Sequence, residues 1–522
     1  MSGPESVTDA VLPAAIRAPP ADESRNFRST FADRRLESAP PADDATFYRR
    51  LSLDLTGKIP ASAEARKFLS DTQQDKRRQA IDRLLDGAGY GIHFANVWAG
   101  LMLPEVDDGF QKQALVASLS RWVRQQLDEN VAYDKWVREV VAFPLENNPE
   151  GGGNDPFNNT GPMTPTAFYQ SKMGKPENIA ASVVRVFLGV RIECAQCHDH
   201  PFATWKRDQF WAQAAFFAGV RRPANQMGDF FIGTPLTELK DRRELMIPGT
   251  DRVAQPVFLD GKQPQWKYQA SARATFADWM TAKENPFFAL TAVNRLWGQL
   301  FGIGIVEPVD DFSTENKPSH PELLDELAKQ FAEHGFDLKF VVRAICLSKT
   351  YQQSSVYPGP SKPETRLFAC MPVKGLSADQ IYDSLIQATG NRDNSRGNSN
   401  RFGAINSPKS TFQQKFAAQE KRTEFQTSIP QALALMNNPL IATETHPEKG
   451  DTLAAIASAP FLDTAGKVEA LYLAALSRRP TEQESCRLVS YVDQGGNDRE
   501  KKKALSDVFW ALLNSPEFLF NH

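Results

Sequence analysis

Cys194-Ala195-Gln196-Cys197-His198 concentrates more reactive chemistry than any other stretch of this sequence. Two thiols three positions apart, followed at once by an imidazole, form the attachment pattern of a c-type haem. In that chemistry the thiols add to the porphyrin vinyl groups and the histidine binds the iron. With only 5 Cys and 7 His in 522 residues, chance is a poor explanation for this spacing. The pattern points to metal or redox chemistry.

Three chemistries compete for it. For haem c, Cys194, Cys197 and His198 hold the cofactor, and Phe202 and Trp205 are the aromatic candidates to wall it. For zinc or another metal, His198 and His200 would join the two thiolates, with His320 as a further candidate ligand. Structural zinc prefers ligand pairs from separate segments, and Cys346, Cys370 and Cys486 supply no second pair. The third chemistry is a disulfide or small cysteine clip. A thioredoxin-like activated pair belongs at a helix N-terminus. Here Ile179, Val183, Phe187 and Val190 recur at helical spacing before the motif, which places Cys194 after a helix end. A sixth iron ligand would come from elsewhere, with His320, His93 and Met173 as candidates. Bound haem calls for an apolar cavity lined by Phe202, Trp205 and the 176–190 helix.

His320, in Pro318-Ser319-His320-Pro321, sits at an expected helix start with Ser319 as cap. His200 has an equally plain alternative, a structural imidazole held by Asp199. Glu307, Asp310 and Asp311, close to Asn294 and Arg295, form either a carboxylate–arginine site or a set of caps and ion pairs. No Walker-type loop, nucleophile elbow or H-E-x-x-H stretch is present, so familiar nucleotide and hydrolase chemistry gains no support. No catalytic residue is assigned. An enzyme working on a small molecule or glycan with the metal or haem remains a second functional reading, and a structural or interaction protein a third.

The elements that must position these residues read as helices. Ser62 to Leu85, Gln111 to Leu127 and Tyr133 to Val141 carry amphipathic periodicity, and Trp205, Phe210, Trp211, Ala214 and Phe217 continue it after the motif. Alternation at Asp229–Gly233 and Gln255–Gly261 suggests short strands and turns. The expected fold is mainly α, with two helical lobes joined by a short β-containing insert and a disordered N-terminal leader. Its boundaries are a leader at 1–45, a helical domain with the motif at 46–220, the insert at 221–270 and a second helical domain at 271–522. Glu146–Pro165 and Asn391–Ser410 read as loops.

A net charge of −3 without basic clusters argues against nucleic acid as a partner. No run of about 18 apolar residues exists to span a membrane. The first residues show no secretory signal, although covalent haem c is normally fitted outside the cytoplasm. A redox partner protein is the expected interaction.

Taken together, the chain resembles a family pair described mostly from planctomycete-type bacteria, a cytochrome-c-like PSCyt domain followed by a PSD domain (domains of unknown function 1549 and 1553). The first half carries the resemblance in Arg49-Arg50-Leu51-Ser52-Leu53-Asp54-Leu55-Thr56-Gly57 and in Phe187–Phe202. The second half carries it in Asn285-Pro286-Phe287-Phe288, Val293-Asn294-Arg295-Leu296-Trp297, Gly304–Phe312, Pro318–Leu324 and Trp510–Phe518. The resemblance implies an exported, cytochrome-like protein.

Overall fold

The computed structural model describes residues 37–104, 110–145, 163–199, 204–222, 236–313, 315–391, 408–416 and 436–522. Helices dominate them, and the strands are two-residue antiparallel pairs. The mainly α reading holds. The chain divides into two compact units. Among described residues the first takes 94–299 and 303–342, and the second takes 37–93, 300–302 and 343–522.

In the first unit, the helix Tyr133–Ala142 buries Tyr133, Trp136, Val137, Val140 and Val141 along one face, as its periodicity requires. Trp136 is the hub of an aromatic core. It meets Trp98 edge-on at 5.5 Å, Tyr133 at 5.0 Å, Trp122 at 6.2 Å and Phe187 at 6.5 Å. Such edge-to-face contacts add about 0.5–1.5 kcal/mol each beyond area burial. This core seats the inner face of the helix Pro176–Leu188, whose Ile179, Ala180, Val183, Val184, Val186 and Phe187 are all buried.

Two hairpins follow, pairing Val220–Arg221 with Thr237–Glu238 and Leu245–Met246 with Val253–Ala254. Of the short strands and turns expected around Gln255–Gly261 the chain forms a turn, in which the Phe258 amide donates to the Lys262 carbonyl. Its alternation reflects packing rather than pairing: Phe258 stacks on Trp279 at 4.7 Å and on Phe216 at 5.1 Å. The expectation at Asp229–Gly233 lies outside the described residues. Arg273, at the start of the helix Ala272–Met280, is buried. It bonds the Glu238 carboxylate and the Tyr169 hydroxyl, fastening the hairpin to the helices.

The second unit is built around the helix Asp44–Thr56, capped by Asp43 and ended by Gly57 at φ 73°. Only glycine takes that left-handed φ cheaply, and a Cβ there would lie 2.5 Å from His93 Nδ1. Leu53 joins Ile59, Leu385, Leu471, Phe509, Leu513 and Phe518 in one core. Arg49 donates to the Ala475 and Phe518 carbonyls, and Arg50 to those of Tyr351 and His522. The stretch Ala39–Asp43, at the end of the segment expected as a leader, is docked. Ala39 and Ala42 are buried, and the Ala39 amide donates to the Ala369 carbonyl at 2.7 Å. Residues 1–36 lie outside the described residues. The span Ser62 to Leu85 is two helices, Ser62–Ser70 and Lys76–Asp86, separated at Asp71–Asp75.

Candidate functional site

The motif hangs from the end of Pro176–Leu188. Pro176 starts that helix and Gly189, at φ 66°, stops it. Four residues later the chain turns through the 3₁₀ segment Glu193–Gln196, with Cys197 next in helical conformation. In a 3₁₀ turn the side chains at i and i+3 eclipse, so Cys194 and Cys197 share one face. Both are exposed free thiols, while Ala195 between them is buried. The turn is tied down on its inner side: the Ala195 amide donates to the Ile192 carbonyl at 2.9 Å and Trp211 Nε1 to the Gln196 carbonyl at 3.1 Å.

His198 is exposed, and its Nδ1 lies 2.6 Å from the Asp199 carbonyl oxygen. A carbonyl only accepts, so Nδ1 carries the proton and donates, leaving the Nε2 lone pair for a metal. The Asp199 carboxylate is used elsewhere, accepting the Arg207 amide at 2.9 Å at the start of the helix Arg207–Ala215. Thiols on one face, free of disulfide, beside an imidazole with a fixed tautomer fit the haem-attachment chemistry of the motif.

Behind the turn lies an ion cluster. Asp310 Oδ1 accepts from Arg191 Nε at 2.9 Å and Nη2 at 2.6 Å, while Oδ2 faces Arg185 at 3.5 Å and Arg295 at 3.7 Å. Burial works to raise the Asp310 pKa, but the guanidiniums of Arg295, Arg191 and Arg185 outweigh it and hold the carboxyl below its ordinary value. For Glu193, beside Arg185 at 3.3 Å, burial prevails and the pKa rises. Arg295 also donates to the carbonyls of Val186 at 2.9 Å and Arg185 at 2.8 Å, satisfying the carboxyl end of the motif helix. The Phe312 amide donates to the Gly189 carbonyl at 2.8 Å. Arg295 and Asp310 therefore stand behind the motif as a clamp, each with its charge already engaged.

The neighbouring candidates also have structural partners. Glu307 accepts the Gly304 amide, Asn294 bonds both ways with Val306, and Asp311 accepts from Asn316. The N-cap position before the helix Pro321–Glu333 is held by His320, not Ser319 as expected. Ser319 instead donates its amide to the Ile305 carbonyl, and its hydroxyl lies 3.1 Å from His320 Nδ1. Burial lowers the His320 pKa.

Trp205 is buried just ahead of Arg207–Ala215. His200 and Phe202 lie outside the described residues. Among the described residues no three His, Cys, Asp or Glu side chains are gathered as a metal would need. Met173 is exposed at φ 58°, and His93 belongs to the second unit. No helix of the described residues is long and apolar enough to cross a membrane. Sequence reasoning passed over Arg185 and Arg191. Their signal was a pair of arginines three residues before and three residues after the apolar helix end at Leu188, ahead of the cysteines.

Fold and site thus define a mainly helical chain with a surface C-x-x-C-H turn clamped from behind by an aspartate–arginine cluster. Residues 25–222 match the PSCyt2 family, a protein of unknown function (DUF1549), and residues 272–423 match the PSD1 family, a protein of unknown function (DUF1553), in that order. The cysteine motif falls in the first match, and Arg295 and Asp310 fall in the second. No curated protein and no solved structure matches the chain.

Proposed function

We propose that Cys194 and Cys197 carry a covalently attached haem with His198 Nε2 as its axial ligand, and that the protein is an extracytoplasmic electron-transfer module serving a redox partner protein. The observation that carries this reading is the pair of exposed free thiols three residues apart on one short turn, next to an imidazole whose Nδ1 lies 2.6 Å from a carbonyl oxygen. Thioether bonds form to two separate vinyl groups, so the sulfurs need a common face but not a common point. A zinc tetrahedron needs its donors around one point, and Cys346, Cys370 and Cys486 supply no second ligand pair to complete one. Bound haem would supply a reversible one-electron change at the iron.

The chain's own residues do the holding. The Nδ1 bond orients the ring, and the Trp211 and Ala195 bonds fix the turn. Arg185, Arg191 and Arg295 hold cationic charge around Asp310, and Arg191 ties that cluster to the segment leading into the motif. The test is peptide mapping of full-length protein produced with a haem c maturation system. A haem-bearing peptide spanning Cys194–Cys197 that survives denaturation is expected, and it should be lost in the double variant Cys194→Ser, Cys197→Ser. Wild-type peptides with both thiols alkylatable would overturn the proposal.

A further inference from the structure

Asp54 is a buried acid on the helix Asp44–Thr56, where Leu51, Leu53 and Leu55 are buried and apolar and Arg50, one turn earlier, donates its hydrogen bonds to backbone carbonyls. Something must compensate it, because an unpaired charge is not stable in such surroundings. Two partners come from distant parts of the chain. The strand Lys374–Gly375 pairs antiparallel with Phe520–Asn521, and Lys374 stands directly opposite Asn521. Directly opposed residues project on the same side of a ladder with their Cβ atoms about 4.5–5.5 Å apart.

Both side chains end on one carboxylate oxygen. Asp54 Oδ1 accepts from Lys374 Nζ at 2.7 Å and from Asn521 Nδ2 at 2.8 Å, while Oδ2 accepts from the Tyr351 hydroxyl at 2.8 Å. Lys374 Nζ also donates to the Leu300 carbonyl. Lys374 and Asp54 are 0% exposed and Asn521 is 1% exposed. The Asn521 side-chain oxygen Oδ1 is buried without a hydrogen-bond partner. A buried lysine gives up its proton readily and then becomes a nucleophile. Here it is held beside an amide, with an acid bridging the attacking and the leaving nitrogen. Holding reactants this way gives intramolecular steps very high effective concentrations.

We infer that Lys374 and Asn521 become joined by an intramolecular isopeptide bond, with Asp54 as the catalytic proton carrier. Asp54 Oδ1 takes a proton from the Lys374 ammonium, and the freed Nζ electron pair adds to Asn521 Cγ. Asp54 hands that proton to Nδ2, the Cγ–Nδ2 bond breaks and ammonia leaves. Asp54 then takes the remaining proton from the new amide nitrogen and stays protonated. The products are a secondary amide, ammonia and a neutral acid, so no buried charge remains and no oxidant or second substrate is consumed. The three residues meet only after folding, and the bond would fasten the 520–521 strand permanently to its partner.

Intact mass spectrometry of the full-length protein, followed by tryptic mapping, tests this directly. The expected mass is below the sequence mass by one ammonia, with no cleavage after Lys374 and a branched peptide joining it to the peptide containing Asn521. Asp54→Asn keeps the shape but cannot carry the proton, and should restore the full mass and cleavage at Lys374. The wild-type result decides the question even if that variant fails to fold. A full wild-type mass with normal cleavage at Lys374 would overturn the inference, as would loss of one water with Lys374 linked to Asp54.

Discussion

Asp310→Asn should cost far more stability than the removal of an exposed charge, and the reason is the unequal burial of its partners. Arg191 is 46% exposed at its side chain, so its pair with Asp310 contributes about 0–1 kcal/mol. Arg295 is 3% exposed, and Asp310 itself 9%. Neutralising the acid leaves the Arg295 guanidinium buried without its counter-charge, an effect of about 3–5 kcal/mol. The pKa direction adds a pH signature. A carboxyl whose folded pKa lies below its unfolded value of about 3.9 contributes fully above that value, and the contribution fades as pH falls through the folded value. Urea unfolding of wild type and Asp310→Asn, measured at neutral pH and again near pH 3, should therefore show a large gap that narrows in acid. Amide exchange should also speed up at Gly189–Cys197, because Arg295 and Arg191 anchor that segment. A neutral-pH difference below about 1 kcal/mol, with unchanged exchange there, would refute the clamp.

Other expectations are more local. Gly189→Ala should destabilise by more than about 2 kcal/mol, since φ is 66° and a Cβ would lie 2.6 Å from both Phe312 Cδ2 and Thr291 Oγ1; thermal unfolding of the variant measures it, and a neutral outcome would contradict the packing. Cys194→Ser and Cys197→Ser in cofactor-free protein should each stay within about 0.5 kcal/mol of wild type in urea. A loss of about 2–5 kcal/mol would instead indicate a disulfide clip. Glu484 is held at about 2 by hydrogen bonds from Arg478, with burial opposing. Its contribution is present above the ordinary glutamate range and lost as pH falls through about 2. A carboxyl-detected NMR titration should find Glu484 moved up towards about 4.3 in Arg478→Ala.

Much of this architecture was legible in the chain because local rules governed it. Tyr133–Ala142 forms where its apolar period runs, and Ala272–Met280 starts where Ser271 caps it by accepting the Ala274 amide. Periodicity failed where it could not see a break, as at Asp71–Asp75. The cysteine motif was visible because its spacing is itself the chemistry. The clamp behind it was half visible: Arg295 and Asp310 drew notice, but their link to Arg185 and Arg191 spans more than a hundred residues and leaves no local signal. Lys374 and Asn521 are further apart still and carry no motif. Only the acid Asp54 amid leucines hinted that a buried partner had to exist.

The central claim is the haem on the Cys194–His198 turn. A pyridine haemochrome spectrum of full-length protein matured in a host with haem c machinery, recorded after extraction with acidified acetone, measures it most directly. The account predicts haem that stays with the polypeptide and shows the band of a porphyrin with both vinyl groups saturated, absent from the Cys194→Ser, Cys197→Ser variant. Haem that extracts completely, or protein without haem at all, would contradict it.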